Sequence, residues 1–243
     1  FVLFILSAML TACGGGAASK PEADADADAE VVAEEVVEDV VEEVPQYAVY
    51  ATYSELMTNF DPAIEFSNGI MIHNNIYEQL LRYDADTEEI IPVLAESYSV
   101  SDDAMTWTFN LREGVKFQNG DDFTAEDVKY SFDRTIEMGA GAAYIWFAVD
   151  SVTVVDPMTI EISLVFPNPL DIVMTSGYAA FVYSEQCVDE ENNWKDDMAG
   201  CGTGPYQYKS ADWGDEVILD AFEDYWGGWG EKSFSTVVFK KVV

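Results

Sequence analysis

Apolar and polar side chains alternate most regularly between residues 105 and 111, where polar residues separate Trp107, Phe109 and Leu111. This two-residue period is typical of a β-strand with one buried face. Similar patterns predict strands at residues 47–53, 90–97, 105–111, 151–155, 159–164, 216–221 and 236–240. The pair Asp156-Pro157 separates two of these runs and predicts the turn of a β-hairpin.

A helical pattern begins after Thr124, which is followed three residues later by Asp127. This spacing is typical of a capping box, so we expect a helix over residues 125–138, ending at Gly139. Apolar spacing predicts two more helices, at residues 69–81 and from 169 to about 176. Strands and helices follow one another irregularly, which favours a mixed α/β domain over a regular βαβ repeat.

Several short motifs occur in an order that is similar to one known family. They are Leu94-Ala95-Glu96-Ser97, Thr106-Trp107-Thr108-Phe109, Gly114-Val115-Lys116-Phe117, Phe123-Thr124-Ala125-Glu126-Asp127-Val128, Gly202-Thr203-Gly204-Pro205-Tyr206 and Tyr225-Trp226-Gly227-Gly228. Together they resemble the extracytoplasmic solute-binding proteins of the peptide/nickel ABC transporter family (family 5, oligopeptide- and dipeptide-binding type). The resemblance covers roughly residues 47–243.

The resemblance implies a two-lobed, type II-like periplasmic-binding-protein fold of mixed α/β class. Family members are about twice as long as this chain. Residues 46–243 are therefore expected to be the N-terminal part of a solute-binding domain, mainly its first lobe. Residues of about 77–200 would form an inserted subdomain, and the second lobe has no counterpart in this sequence.

The first residues predict export. Residues 1–12 are almost entirely apolar and lead to Leu10-Thr11-Ala12-Cys13, which looks like a bacterial lipobox. The run is shorter than the roughly 20 residues of a membrane span but suits a signal peptide. We expect a lipoprotein signal peptide over residues 1–13, with lipid on Cys13. An ordinary secretory leader with a chance cysteine is the alternative; both place the protein outside the cytoplasmic membrane.

Residues 14–45 are rich in acidic residues and contain no aromatic residue. Such sequence repels itself and stays extended, so we expect a disordered tether. Asp24, Asp26, Asp28 and Glu35 match the spacing of a calcium-binding loop. Ala29 stands where that loop needs glycine, which favours the tether.

The charge balance is strongly acidic, with 46 acidic against 11 basic residues and a formal net charge of −35. The tether holds eleven of the acids and one lysine, so −25 remains on the rest. This argues against nucleic acid and anionic lipid surfaces as partners. A solvated surface, a salty habitat and a preference for cationic solutes are all compatible with it.

Two cysteines remain besides Cys13. Cys187 and Cys201 bracket a polar stretch before the Gly202-Thr203-Gly204 turn. In a protein outside the cytoplasm an even pair favours a disulfide, with two reduced thiols as the alternative.

Enzymatic chemistry has little support. His73 is the only histidine, and neither a G-x-S-x-G turn nor a phosphate-binding glycine loop occurs. We interpret His73 as a structural residue of its helix, and we expect no metal site and no cofactor.

Ligand contacts are suggested only by the resemblance, which puts the segment after the first strand at the floor of the cleft. The candidate residues are Tyr53, Glu65, Phe66, Ser67, Asn68 and Gly204. Ordinary packing is the alternative for each of them. Trp213, Tyr225, Trp226 and Trp229 form an aromatic cluster that either lines a pocket or packs.

The function predicted from these observations is a substrate-binding lipoprotein of an ABC importer, which captures peptides or similar small solutes. Its partners would be the solute, the permease and ATPase subunits, and the membrane through its lipid; we expect a monomer. The alternatives are a ligand-sensing receptor lobe and a secreted hydrolase.

Overall fold

The computed structural model describes residues 46–57, 59–195, 200–212, 214–230 and 233–242. The predicted signal peptide, Cys13 and the predicted tether lie outside the described residues. The described residues contain ten strands: β1 (Tyr47–Thr52), β2 (Leu81–Asp84), β3 (Glu89–Pro92), β4 (Ala95–Val100), β5 (Thr106–Leu111), β6 (Val149–Asp156), β7 (Thr159–Leu164), β8 (Tyr206–Asp212), β9 (Glu216–Ala221) and β10 (Thr236–Lys241). The helices are α1 (Ile70–Ile76), α2 (Ala125–Met138) and α3 (Leu170–Met174), with 3-10 turns at Ala143–Trp146 and Glu185–Cys187.

The strands form two four-stranded sheets and one hairpin. The first sheet has the order β1-β10-β9-β8, in which β1 runs parallel to β10 and the other pairs are antiparallel. The second sheet, β4-β5-β7-β6, is antiparallel throughout. Strands β2 and β3 pair only with each other among the described residues. The architecture is mixed α/β, as the sequence predicts.

The second sheet and α2 enclose one hydrophobic core. Phe109 pairs with Ile160 across β5 and β7, and both side chains are buried together with Phe132 of α2. The capping box at the start of α2 is present, since the backbone N–H of Thr124 donates to Asp127 Oδ2 at 2.8 Å. Gly139 ends the helix with φ +58, a left-handed conformation that glycine adopts without a Cβ penalty.

A separate core lies against the first sheet. Ile72 and Ile76 of α1 pack there with Phe60, and Leu219 and Phe239 contribute from β9 and β10. The first core is formed by residues 80–182, and the second by residues 56–77 and 181–239. The chain thus leaves the second core after Tyr77 and returns to it from Phe181 onward.

Two of the predicted elements, one helix and one strand, differ substantially from the structure. The predicted helix 69–81 ends at Ile76, because Tyr77 is extended and the buried Leu80 and Leu81 belong to the other core. The apolar spacing continues beyond the helix because Ile72 and Ile76 enter the second core while Leu80 and Leu81 enter the first. The pattern therefore does not reveal that β2 begins at Leu81.

The predicted strand 90–97 is two strands in different sheets. Val93 and Leu94 are buried between them, and the N–H of Val93 donates to Leu80 O rather than to a strand of either sheet. A continuous apolar run cannot reveal such a break, because Val93, Leu94 and Ala95 are all buried in the same first core.

Within the part of the chain that is described, no helix is both long and apolar enough to span a membrane.

Candidate functional site

The first strand has an open edge, and the predicted contact residue Tyr53 follows it. Strand β1 lies at the edge of the first sheet, and no strand among the described residues pairs with its outer side. Tyr53 follows β1 directly and is 83% exposed. An open edge with free backbone groups can accept an added strand, and so this edge is compatible with an extended ligand.

The loop of residues 59–69 carries four of the predicted contact residues. Phe66, Ser67 and Asn68 are exposed at its tip, immediately before α1. Glu65 is instead buried, and its Oε1 accepts the backbone N–H and the hydroxyl of Ser67, both at 2.8 Å. The carboxylate therefore shapes the tip from beneath and leaves Phe66, Ser67 and Asn68 facing solvent.

Gly204 lies at the opposite end of α1 from this tip. It is buried, and its N–H donates to Ile76 O at 2.9 Å. A Cβ at this position would lie 2.7 Å from the carbonyl oxygens of Asn75 and Ile76. A seven-residue helix is about 10 Å long. The structure thus separates Gly204 from the exposed tip, and the glycine serves a close backbone approach.

Asp61 fixes the base of the 59–69 loop. Its carbonyl oxygen accepts the N–H groups of Ile64 and Glu65, and its Oδ1 accepts that of Ala63. The carboxylate also binds Arg134 of α2 through two bonds, of 2.9 Å to Nη1 and 2.6 Å to Nη2. Burial alone would lower the pKa of Arg134, but its bonds to Asp61 and Tyr183 outweigh burial and raise it, so the guanidinium stays charged.

A second buried carboxylate joins three distant parts of the chain. Glu78, just after α1, accepts Thr203 Oγ1 at 2.9 Å, the Tyr225 hydroxyl at 2.9 Å and Trp226 Nε1 at 2.7 Å. Burial raises the pKa of Glu78 in spite of these three bonds. The Glu78 carboxylate therefore links the motifs Gly202–Tyr206 and Tyr225–Gly228, and no motif in the sequence indicates this role.

The aromatic cluster near residue 225 packs within the fold. Arg112 stacks on the Trp226 ring at 4.6 Å, and Trp229 makes an edge contact with Tyr206 at 5.3 Å. Trp213 lies outside the described residues. Beside Tyr225 a cavity of about 320 Å³ opens between the two cores, with Arg82 in its wall.

The two cysteines are joined. Cys187 and Cys201 form a disulfide whose Cα atoms are 5.8 Å apart, and it closes a short hairpin in which Val188 pairs with Trp194. Trp194 packs on the rings of Tyr77 and Tyr183. The disulfide therefore holds the hairpin that places the Trp194 ring against the second core.

His73 is completely buried in the second core. Its ring makes edge contacts with Tyr77 at 5.3 Å and Phe181 at 6.0 Å. Desolvation by burial lowers the pKa of His73 to about 4, although Glu65 and Asp61 oppose the shift. A neutral, enclosed imidazole packs rather than catalyses. No group of three or more potential ligand residues that could hold a metal ion occurs among the described residues.

A family model for "Bacterial extracellular solute-binding proteins, family 5 Middle" matches residues 89–243, and the chain belongs to this family.

Named relatives agree with this assignment. The chain is 31% identical over 198 residues to the dipeptide-binding protein DppE of Bacillus subtilis, covering 73% of this chain and 36% of DppE. The crystal structure of NikA from Brucella suis in complex with Fe(III)-EDTA has a TM-score of 0.70 at 26% identity and covers 80% of this chain and 39% of NikA. The DppA protein of Helicobacter pylori, solved in complex with peptide STSA, has a TM-score of 0.70 at 28% identity and covers 81% and 42%.

The chain thus spans well under half the length of these relatives. Its fold class is that of the periplasmic binding proteins, and its homologues are substrate-binding proteins rather than enzymes.

Proposed function

We propose that this chain supplies the first wall of an extracytoplasmic solute-binding site that serves an ABC importer. The solute is a peptide or a similar small molecule. The observation that carries the proposal is the open edge of β1, which is followed along the chain by the exposed loop tip at residues 66–68, in a chain of the solute-binding family. The relatives named as a dipeptide-binding protein and as a complex with peptide STSA support a peptide as the solute.

The edge of β1 suits a peptide in extended form. Backbone N–H and C=O groups of the ligand pair with the outer groups of β1, as in strand addition. Tyr53 and Phe66, 83% and 50% exposed, offer apolar surface for ligand side chains. Backbone pairing is largely independent of ligand sequence, so such a site would accept a range of peptides.

A second lobe closes over the ligand in this proposal. One wall alone leaves much of the ligand's polar surface hydrated, and ligand pockets normally bury 70–90% or more of a small ligand. Hinge closure then presents the loaded protein to the permease. Segregation of the two cores supports a division of residues 46–243 into a first-lobe subdomain and an insertion of about residues 77–200.

The last part of the proposal is attachment of the protein to the membrane. Cys13 carries lipid, residues 14–45 form an extended tether, and the monomeric binding protein stays near its permease and ATPase. Two or more lipid chains hold a protein firmly on a membrane, whereas one chain holds it only weakly.

The decisive experiment compares residues 46–243 with the full-length protein by calorimetry. Both are titrated with a library of di- to hexapeptides that includes lysine-rich members. We expect the full-length protein to bind at roughly micromolar levels or better and residues 46–243 to bind far more weakly, because ordering a half-solvated ligand costs entropy that one wall does not offset.

Tight, saturable binding by residues 46–243 alone would refute the two-lobe account. If the full-length protein binds no peptide, the peptide proposal is wrong, and the metal-chelate complex in the NikA structure indicates which solutes to test next.

A further inference from the structure

We propose that Arg134 is a positioning residue for the ligand site: it sets the conformation of the 59–69 loop from behind and touches no solute itself. This inference rests on the proposed function, in which the tip of that loop contacts the solute. It concerns a residue on α2, a helix of the second sheet's core, more than 60 positions along the chain from the loop.

The loop depends on one carboxylate. Asp61 organises the turn through its own backbone, and the same side chain that binds Ala63 N–H also receives both bonds from Arg134. Both side chains are almost fully buried, at 3% and 2% exposure. Asp61 Oδ1 accepts both the Ala63 N–H and the bond from Arg134 Nη1, so a displacement of the Arg134 side chain also displaces the oxygen that holds the turn of the loop.

Arg134 is itself held on its other sides. Its Nε donates to Asn192 Oδ1 at 2.8 Å, and its Nη1 reaches the Tyr183 hydroxyl at 3.2 Å. The guanidinium lies near the rings of Tyr183 and Trp194, at 5.6 and 5.8 Å. Asn192 and Trp194 belong to the hairpin that the Cys187–Cys201 disulfide closes. The guanidinium of Arg134, on α2, therefore contacts both the loop and the hairpin that the disulfide closes.

The turn after α2 abuts the loop as well. Gly141 approaches so closely that a Cβ there would lie 2.5 Å from Ile64 O. The loop base thus rests on the end of α2, while its tip at Phe66, Ser67 and Asn68 remains exposed. A displacement at Arg134 would be passed to the tip through Asp61, Ala63 and Glu65.

Geometry makes the role specific to arginine. The planar guanidinium matches both oxygens of a carboxylate at once, whereas an ammonium group is a single point charge on a flexible stem. Arg134→Lys keeps the charge and loses the fork, so it perturbs loop position with the smallest risk to folding. Asp61→Asn keeps the shape and removes the charge on the other side.

The test is hydrogen–deuterium exchange by mass spectrometry on the full-length protein, below its melting temperature. Amides of Ala63, Ile64 and Glu65 should exchange about tenfold faster in Arg134→Lys, with exchange in β5 and β7 unchanged. Lys129→Met is the matched control: it removes a half-exposed ion pair with Asp133 on the same helix and should leave the loop unaffected.

Peptide affinity is measured in parallel. We expect Arg134→Lys and Asp61→Asn to weaken binding about tenfold or more, while Lys129→Met binds as the wild type does. Uniformly faster exchange over both cores, or unchanged exchange in the loop, would overturn the positioning role. A wild-type protein that binds no peptide would refute the proposed function alone, because the exchange pattern still decides the role of Arg134.

Discussion

Replacing His73 with leucine tests whether the second core excludes a charged imidazole. His73 is wholly buried, and desolvation lowers its pKa from 6.5 to about 4. Asp61 and Glu65 are the acidic groups that favour its protonated form, and burial prevails over both. Leucine has a similar volume and cannot take up a proton, so it removes the titration while it keeps most of the packing.

The sign and size follow from linkage. The unfolded chain binds the proton near pH 6.5 and the folded chain only near pH 4. The contribution of the neutral, buried ring to the free energy of unfolding is therefore fully present above pH 6.5 and is lost as the pH falls towards 4. A difference of that size corresponds to about 3 kcal/mol in the limit, and to about 2.5 kcal/mol between pH 7.5 and 4.5.

The assay is urea denaturation of wild type and His73→Leu at several pH values over that range. The many carboxylates of this acidic chain are common to both proteins, so subtraction largely removes their contribution. The stability advantage of wild type over the variant should shrink by about 2.5 kcal/mol as the pH falls from 7.5 to 4.5.

Because His73 is the only histidine of this chain, its ring proton resonances also report the pKa directly. A difference in stability that does not change with pH, together with an imidazole that titrates near 6.5, would refute the argument. It would mean that the ring reaches solvent in the folded protein.

Three other predictions concern the cysteines and one glycine. Non-reducing mass analysis after alkylation should find Cys187 and Cys201 unmodified in folded protein, and two alkylated thiols would exclude the bridge. Replacing both cysteines with serine should lower the free energy of unfolding by about 3 kcal/mol in the chain-entropy model. Cys13→Ser should move the exported protein from the membrane to the soluble fraction, and identical fractionation would contradict lipidation. Gly202→Ala should prevent accumulation of folded protein, because its Cβ would lie 1.8 Å from Ile76 O. Gly230→Ala is the control and should be tolerated, since its Cβ would lie 3.7 Å from the nearest atom. Wild-type levels of folded Gly202→Ala protein would show that the turn can move.

Features that depend on neighbouring residues could be read from the sequence. The capping box of Thr124 and Asp127, the left-handed Gly139 and the β6–β7 hairpin all form within a few positions, so local spacing carries enough information to predict them. The motif order likewise led to the correct family and fold class.

Features that join distant residues could not be read in this way. The end of α1 depends on which core each apolar residue enters, because Ile76 and Tyr77 belong to the second core and Leu80 and Leu81 to the first. The break between β3 and β4 depends on which distant strand each half pairs with, namely β2 or β5. The parallel pairing of β1 with β10 joins Tyr47 to Thr236.

For the candidate site, the sequence by itself determined which residues follow β1, and their contact with a ligand, which the family resemblance implies, stays a prediction. Only the tertiary structure decided that Glu65 faces inward, that Gly204 lies at the far end of α1, and that Asp61 and Arg134 hold the loop. The physical reason is that a buried charge is tolerable only where a partner reaches it, and that partner is chosen by the packing of two cores rather than by position along the chain.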